Sequence, residues 1–222
     1  MLRDAAAHHG PLVVAFNHPS WWDPIIGVAI KHIYMPDRPA IAPIEMAMFD
    51  RFRFMRKLGM FGIDTEHPEA SQAMVQYVRE CYEQDPRTAL FMTPQGGFAD
   101  VRTPIVVRPG AGAVASGMDD VRVLAILSEL VFWEDKRPEL LLLARACSQP
   151  ARPTTAGWTR AIRDGMQGGA DRLAELAIAR SAEPFVPILA RSGSDVNPAY
   201  DLWQRLRGRR SHVTPKQRGA HP

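Results

Sequence analysis

The run Pro11-Leu12-Val13-Val14-Ala15-Phe16-Asn17-His18-Pro19-Ser20-Trp21-Trp22-Asp23-Pro24 decides how the rest of the chain is read. Its apolar half is short, continuous and β-branched, which predicts a buried strand over residues 11–16. Asp23-Pro24 then opens a helix to about residue 34, with Asp as cap and Pro at the first helical position. His18 therefore stands at a strand end, and Asp23 follows five positions later. A carboxylate so placed accepts from one imidazole nitrogen, fixes its tautomer and leaves the other nitrogen basic. Such a pair suits removal of a proton from an alcohol. The same residues also fit a plain helix cap beside a well-satisfied histidine, and spacing alone does not separate the two. Trp21 and Trp22, inside the segment, fit either an aromatic wall beside the base or core residues that pin the turn.

Outward from this segment, strand and helix patterns alternate. A helical stretch covers residues 49–58, and Gly59 leads to a short strand over 60–64. Ala70, Ala73, Met74, Tyr77, Val78 and Cys81 form a helical stripe, which predicts a helix over 68–83. A strand over 88–93 breaks at Pro94-Gln95-Gly96-Gly97, and strands are expected over 105–107, 121–127 and 139–144. A last helix covers 157–179 with Trp158, Ile162, Met166, Leu173 and Ala177 on one face; Gly165, Gly168 and Gly169 weaken it by roughly 1 kcal/mol each. Alternation of this kind predicts an α/β fold: a mixed, mainly parallel sheet flanked by helices, with functional residues where strands end.

The 222 residues are 46% hydrophobic and 23% charged, enough to bury a core and unlike a disordered chain. No repeat or low-complexity linker appears, so a single domain over 1–222 is expected, with a basic tail from about 204. That tail holds Arg205, Arg207, Arg209, Arg210, Lys216 and Arg218 and, after Asp201, no acid. It reads either as a solvated end or as a polybasic strip beside anionic head groups; it lacks the aromatic interleaving of a nucleic-acid binder. No apolar run reaches the roughly 20 residues of a membrane span, and the start has no signal-peptide core. Cys81 and Cys147 show no metal or disulfide spacing, consistent with two buried thiols in a reducing compartment. His8-His9 has no further ligands at metal spacing, and no Gly-x-Ser-x-Gly elbow occurs. Met46, Met48, Met55 and Met60 fit core packing or an adaptable lipid-facing surface.

Asn17-His18-x4-Asp23 after an apolar strand resembles the N-H-x4-D motif of the lysophosphatidic-acid/glycerol-phosphate acyltransferase family. The resemblance runs over about residues 11–150. Gly59-Met60-Phe61-Gly62-Ile63-Asp64 looks like the family's second block, and Thr93-Pro94-Gln95-Gly96 like its F-P-E-G block. Arg108-Pro109-Gly110, followed by Ala115, is similar to its basic-x-Gly segment. This resemblance implies acyl transfer from acyl-CoA or acyl carrier protein to a hydroxyl of a lysophospholipid or related lipid or glycolipid, without metal or resident cofactor. His18 would be the base and Asp23 its partner, with Asn17, Gln95, Gly96, Gly97, Arg102, Arg108 and Gly110 at the substrate. It implies a cytoplasmic protein, peripheral on the inner membrane face, with no nucleic-acid partner.

The chain departs from the family pattern where arginines are expected. Thr65 ends the second block, and Gln95, Gly96, Gly97 and Phe98 stand for glutamate-glycine-threonine-arginine. A phosphate without these guanidinium partners loses its strongest bonds. Arg102 and Arg108 are potential substitutes, and a sugar or neutral lipid alcohol is the expected acceptor. Two further readings stand beside this one. Gly110-Ala111-Gly112-Ala113-Val114-Ala115 fits G-x-G-x-x-A, with Glu129 placed for a ribose, as in an NAD(P)-binding oxidoreductase module. The altered third block also suits a catalytically inactive lipid-binding relative.

Overall fold

Five apolar residues without a break make the central strand, β1 (Leu12–Phe16), and every one is buried. The computed structural model describes residues 1–64, 66–67, 69–133 and 138–188. Five further strands join β1: β2 (Ala40–Glu45), β3 (Met60–Ile63), β4 (Ala89–Met92), β5 (Arg122–Val131) and β6 (Glu139–Cys147). They form one six-stranded sheet in the order β3-β2-β4-β1-β5-β6. The first five strands run parallel, and β6 returns antiparallel along β5. The expected mixed, mainly parallel α/β sheet is therefore present.

Among the described residues six α-helices accompany the sheet: α1 (Leu2–Ala6), α2 (Asp23–Tyr34), α3 (Met46–Arg51), α4 (Ala70–Gln84), α5 (Pro109–Ser116) and α6 (Thr155–Ile178). Side chains alternate across the sheet, so the two faces of β1 serve different layers. Leu12, Val14 and Phe16 pack with Ala5 of α1 and with Ile26 and Ile30 of α2. On the opposite face α5 and α6 lie over β1 and β5. Trp158, Ile162, Met166, Leu173 and Ala177 are all buried there, as their spacing predicted.

The glycines of α6 are packing residues more than weak points. A Cβ on Gly165 would meet Cys147 Sγ, and one on Gly169 would meet the Leu127 side chain. The bare backbone lets a 24-residue helix settle onto β5 and β6. Cys147 is buried under it, and burial pushes its thiol up to about 11. Both cysteines are free thiols, and Cys81 is only partly buried.

Several expectations are corrected. No strand forms over 105–107, because β4 and β5 already flank β1. The Ile105 N–H instead meets Gln167 Oε1 at 2.7 Å, and the Arg108 N–H meets the Pro94 carbonyl at 2.8 Å. The glycines that follow are filled from outside. A Cβ on Gly110 would press on Met74 of α4, and one on Gly112 on Thr155 and Thr159 of α6. With Glu129 paired to Arg102, the dinucleotide fingerprint has neither its leading strand nor a free carboxylate. In α4 the buried face is Met74, Val78 and Tyr82, while Tyr77 lies outside on the Phe61 ring. The helix expected over 49–58 begins earlier, as α3, and ends as the 3-10 helix Arg53–Leu58.

Residues Met1–Ala182 form one unit and Glu183–Pro222 a second. Of the second only 183–188 are described, so the expected basic tail from about 204 lies outside the described residues, as do Thr65 and Pro68.

Gly112→Ala should destabilise the α5–α6 contact by about 1–3 kcal/mol in urea unfolding. NAD(P)H should bind neither wild type nor variant. The Cys147 thiol should resist modification at pH 8 until the protein unfolds, since a thiol at about 11 is only about one part in a thousand thiolate there.

Candidate active site

The chain leaves β1 through Asn17, whose amide is a clamp. Its Oδ1 accepts the Ser128 N–H at 2.8 Å and its Nδ2 donates to the Ser128 carbonyl at 2.9 Å. Both residues are buried. The amide thus continues the β1–β5 ladder one residue past the strand and holds the backbone from which His18 projects.

His18 is then gripped by its own backbone. Its N–H donates to Gln95 Oε1 at 3.0 Å, and its carbonyl accepts the Ala99 N–H at 3.0 Å. The turn that makes this possible needs Gly96, at φ +71°, closed by the Gly96 N–H on the Thr93 carbonyl. Phe98, between the two anchors, stacks on the His18 ring at 4.2 Å between centroids, and Trp21 lies 5.8 Å from Phe98.

The imidazole itself meets Asp23. His18 Nδ1 lies 2.7 Å from Asp23 Oδ2, with the carboxylate side chain 3% exposed and the ring 20% exposed. A carboxylate only accepts, so Nδ1 carries a proton, and in the neutral ring Nε2 is the nitrogen with the lone pair. The same Oδ2 also accepts the Ser20 N–H at 3.1 Å, which sets the turn between ring and helix. Asp23 is not the helix cap that its place before Pro24 suggested. It is the first residue of α2, Trp22 holds the cap position, and no side chain caps the helix. The carboxylate that would have capped α2 is turned back onto His18, while Oδ1 is buried and makes no hydrogen bond among the described residues.

The remaining predicted residues fall into two groups. Gln95 and Gly96 build the turn that holds His18, and Gly97 follows Gly96 in the same loop. Arg108 lies across Gly96, where a Cβ would strike its guanidinium. Arg108 forms no ion pair among the described residues, and it precedes Gly110 at the start of α5. Arg102 is committed elsewhere: Nη1 and Nη2 bind Glu129 at 2.8 and 2.6 Å. This two-point pair, with Glu129 buried, holds its guanidinium pKa above the ordinary value. Arg102 therefore ties the 94–108 segment to β5 and is not a free cation. Ser128 and Ala99 went unrecognised in the sequence, and only their order after the motif would have suggested them. Trp21 and Trp22 are 65% and 58% exposed, so they are not core residues.

An imidazole held by a buried carboxylate and still reached by solvent is arranged to take a proton from a hydroxyl. A protein-family model described as Acyltransferase matches residues 3–127, more than half of the chain. No curated protein matches the chain.

Asn17→Ala should cost about 1–3 kcal/mol in unfolding free energy, because the buried Ser128 N–H loses its partner. Gln95→Glu, which keeps an acceptor for the His18 N–H, should leave stability within about 0.5 kcal/mol of wild type. Gln95→Ala should lose about 1 kcal/mol.

Proposed function

Since the chain belongs to the acyltransferase family, we propose that it moves a fatty acyl group from acyl-CoA or acyl carrier protein to the hydroxyl of a lipid-associated acceptor. The observation that carries this reading is the 2.7 Å contact between His18 Nδ1 and Asp23 Oδ2 at a ring that solvent still reaches.

The acceptor O–H gives its proton to His18 Nε2 as its oxygen attacks the thioester carbonyl carbon. The buried Asp23 carboxylate stabilises the imidazolium so formed. Collapse of the tetrahedral oxyanion breaks the C–S bond, and the imidazolium returns the proton to the departing thiolate. The products are an ester and a free thiol, with no acyl-enzyme and no resident cofactor. The N–H groups of Gly97 and Phe98 form no hydrogen bond among the described residues. In a loop that grips His18, they are the proposed oxyanion donors.

The acceptor is proposed to be a sugar-bearing or neutral lipid alcohol. Phe98 occupies the place of a guanidinium and covers the base with an apolar ring. Arg102 is neutralised by Glu129, which leaves Arg108 as the site's unpaired arginine. The exposed Trp21, Trp22 and Ile25 beside His18 support entry of an amphipathic substrate from a membrane surface. Among the described residues no helix is long and apolar enough to cross a membrane. Peripheral attachment on the cytoplasmic face is proposed accordingly.

Free-thiol release from acyl-CoA should fall by about 10²–10⁴ in His18→Ala and in Asp23→Asn, with the thermal unfolding of the wild type retained. In a panel of acceptors, neutral and sugar lipid alcohols should outpace lysophosphatidic acid, and Phe98→Arg should narrow that gap. Lysophosphatidic acid as the best wild-type acceptor would overturn the acceptor assignment. An absence of turnover with every donor and acceptor would favour a catalytically inactive lipid-binding relative.

A further inference from the structure

The crossover from β2 to β3 exposes side chains that the chemistry at His18 does not use. It consists of α3 and the 3-10 helix Arg53–Leu58, and neither buries a single residue. The segment is nonetheless greasy: Met46, Phe54 and Leu58 are 39%, 58% and 44% exposed. Phe49, Phe52 and Met55 are only half-buried.

Four cations interleave with these residues, namely Arg51, Arg53, Arg56 and Lys57, and Asp50 is the single acid between 46 and 58. None of the four forms an ion pair among the described residues. The Arg51 guanidinium lies 5.2 Å from the Phe52 ring centre, and that of Arg56 4.7 Å from Phe49. Positive charge and ring faces therefore share one surface.

Few occupants suit a face that is both apolar and cationic. A second copy meeting it about a twofold axis would set four cations against four. The chain's own run after Asp201 carries the same sign. An anionic lipid surface satisfies both features at once. Its head groups take the cations, and the aromatic and aliphatic side chains enter the acyl boundary.

The position in the sheet agrees. Leu12 and Ala40 both sit beside Ala89, so Glu45, five residues along β2, lies about level with Asn17, five residues along β1. The segment therefore starts at the same sheet edge as His18 and the exposed Trp21, Trp22 and Ile25.

We propose that residues 46–58 are an interfacial anchor selective for anionic leaflets, which lays this edge of the sheet on lipid so that His18 faces the acceptor. The orientation rests on the acyl-transfer reading above, whereas the binding can be measured without turnover.

The test uses the full chain in co-sedimentation with phosphatidylcholine vesicles, with and without about one-third phosphatidylglycerol. Wild type should partition at least about tenfold better onto the anionic vesicles, since each cation near such a surface contributes about fivefold. Arg51→Gln/Arg53→Gln/Arg56→Gln/Lys57→Gln should lose about tenfold or more. Phe54→Ser/Leu58→Ser should also bind more weakly. Both variants should keep wild-type thermal unfolding and thiol release with water-soluble substrates. His18→Ala should bind vesicles as wild type does. The same binding pattern in a protein without turnover supports the anchor and sinks the catalytic reading alone. Equal partition of wild type onto neutral vesicles, or wild-type binding by the quadruple variant, would overturn the proposal. So would a dimer that Phe54→Ser/Leu58→Ser dissolves.

Discussion

The site depends on a proton shared between an imidazole and a carboxylate across the turn from β1 to α2. His18 and Asp23 are five residues apart, and their 2.7 Å contact requires that both strand end and helix start be fixed. The strand end is fixed by burial of all five β1 residues and by Asn17 clamped on Ser128. The helix start is fixed by Ile26 and Ile30 packed against the sheet and by the Ser20 N–H held on the same carboxylate oxygen. An aspartate that caps helices elsewhere has here exchanged that role for the imidazole, and α2 begins without a side-chain cap.

The second constraint comes from the segment after β4. Gln95 and Ala99 hold the backbone of His18 on either side, so the loop is tied directly to the residue that carries the imidazole. Phe98 is thereby pressed against the ring. The Arg102–Glu129 pair anchors the far part of the same segment to β5. A loop that binds the base through its backbone and covers it with a phenyl group constrains position and polarity together. The face that His18 turns to Phe98 is therefore apolar.

Much of this was legible in the sequence, where local pattern decides. The apolar run of β1 and the buried face of α6 follow from burial periodicity. β2 was missed because Pro39 and Pro43 interrupt its apolar run. Ala40 and Ile41 pair with β4 and residues 42–45 with β3, so Pro43 has a partner strand on one side only, where a missing donor is tolerated. Residues 105–107 looked equally strand-like but had no free strand edge to join at β1. Ser128 was out of reach because 111 residues separate it from Asn17. The sequence marked Phe98 only as a lost arginine; its stacking on His18 is a property of the folded turn around Gly96.

The crossover at 46–58 thus starts at the strand ends from which His18 projects, the first greasy and cationic, the second polar beneath an aromatic cover. The account stands or falls on the tautomer that Asp23 imposes. Nitrogen-15 spectra of the His18 imidazole, in wild type and in Asp23→Ala, measure it. The expected result is a neutral ring protonated at Nδ1 with a bare Nε2, and loss of that preference in the variant. A ring protonated at Nε2, or a spectrum indifferent to Asp23, would contradict the assignment of His18 as the base.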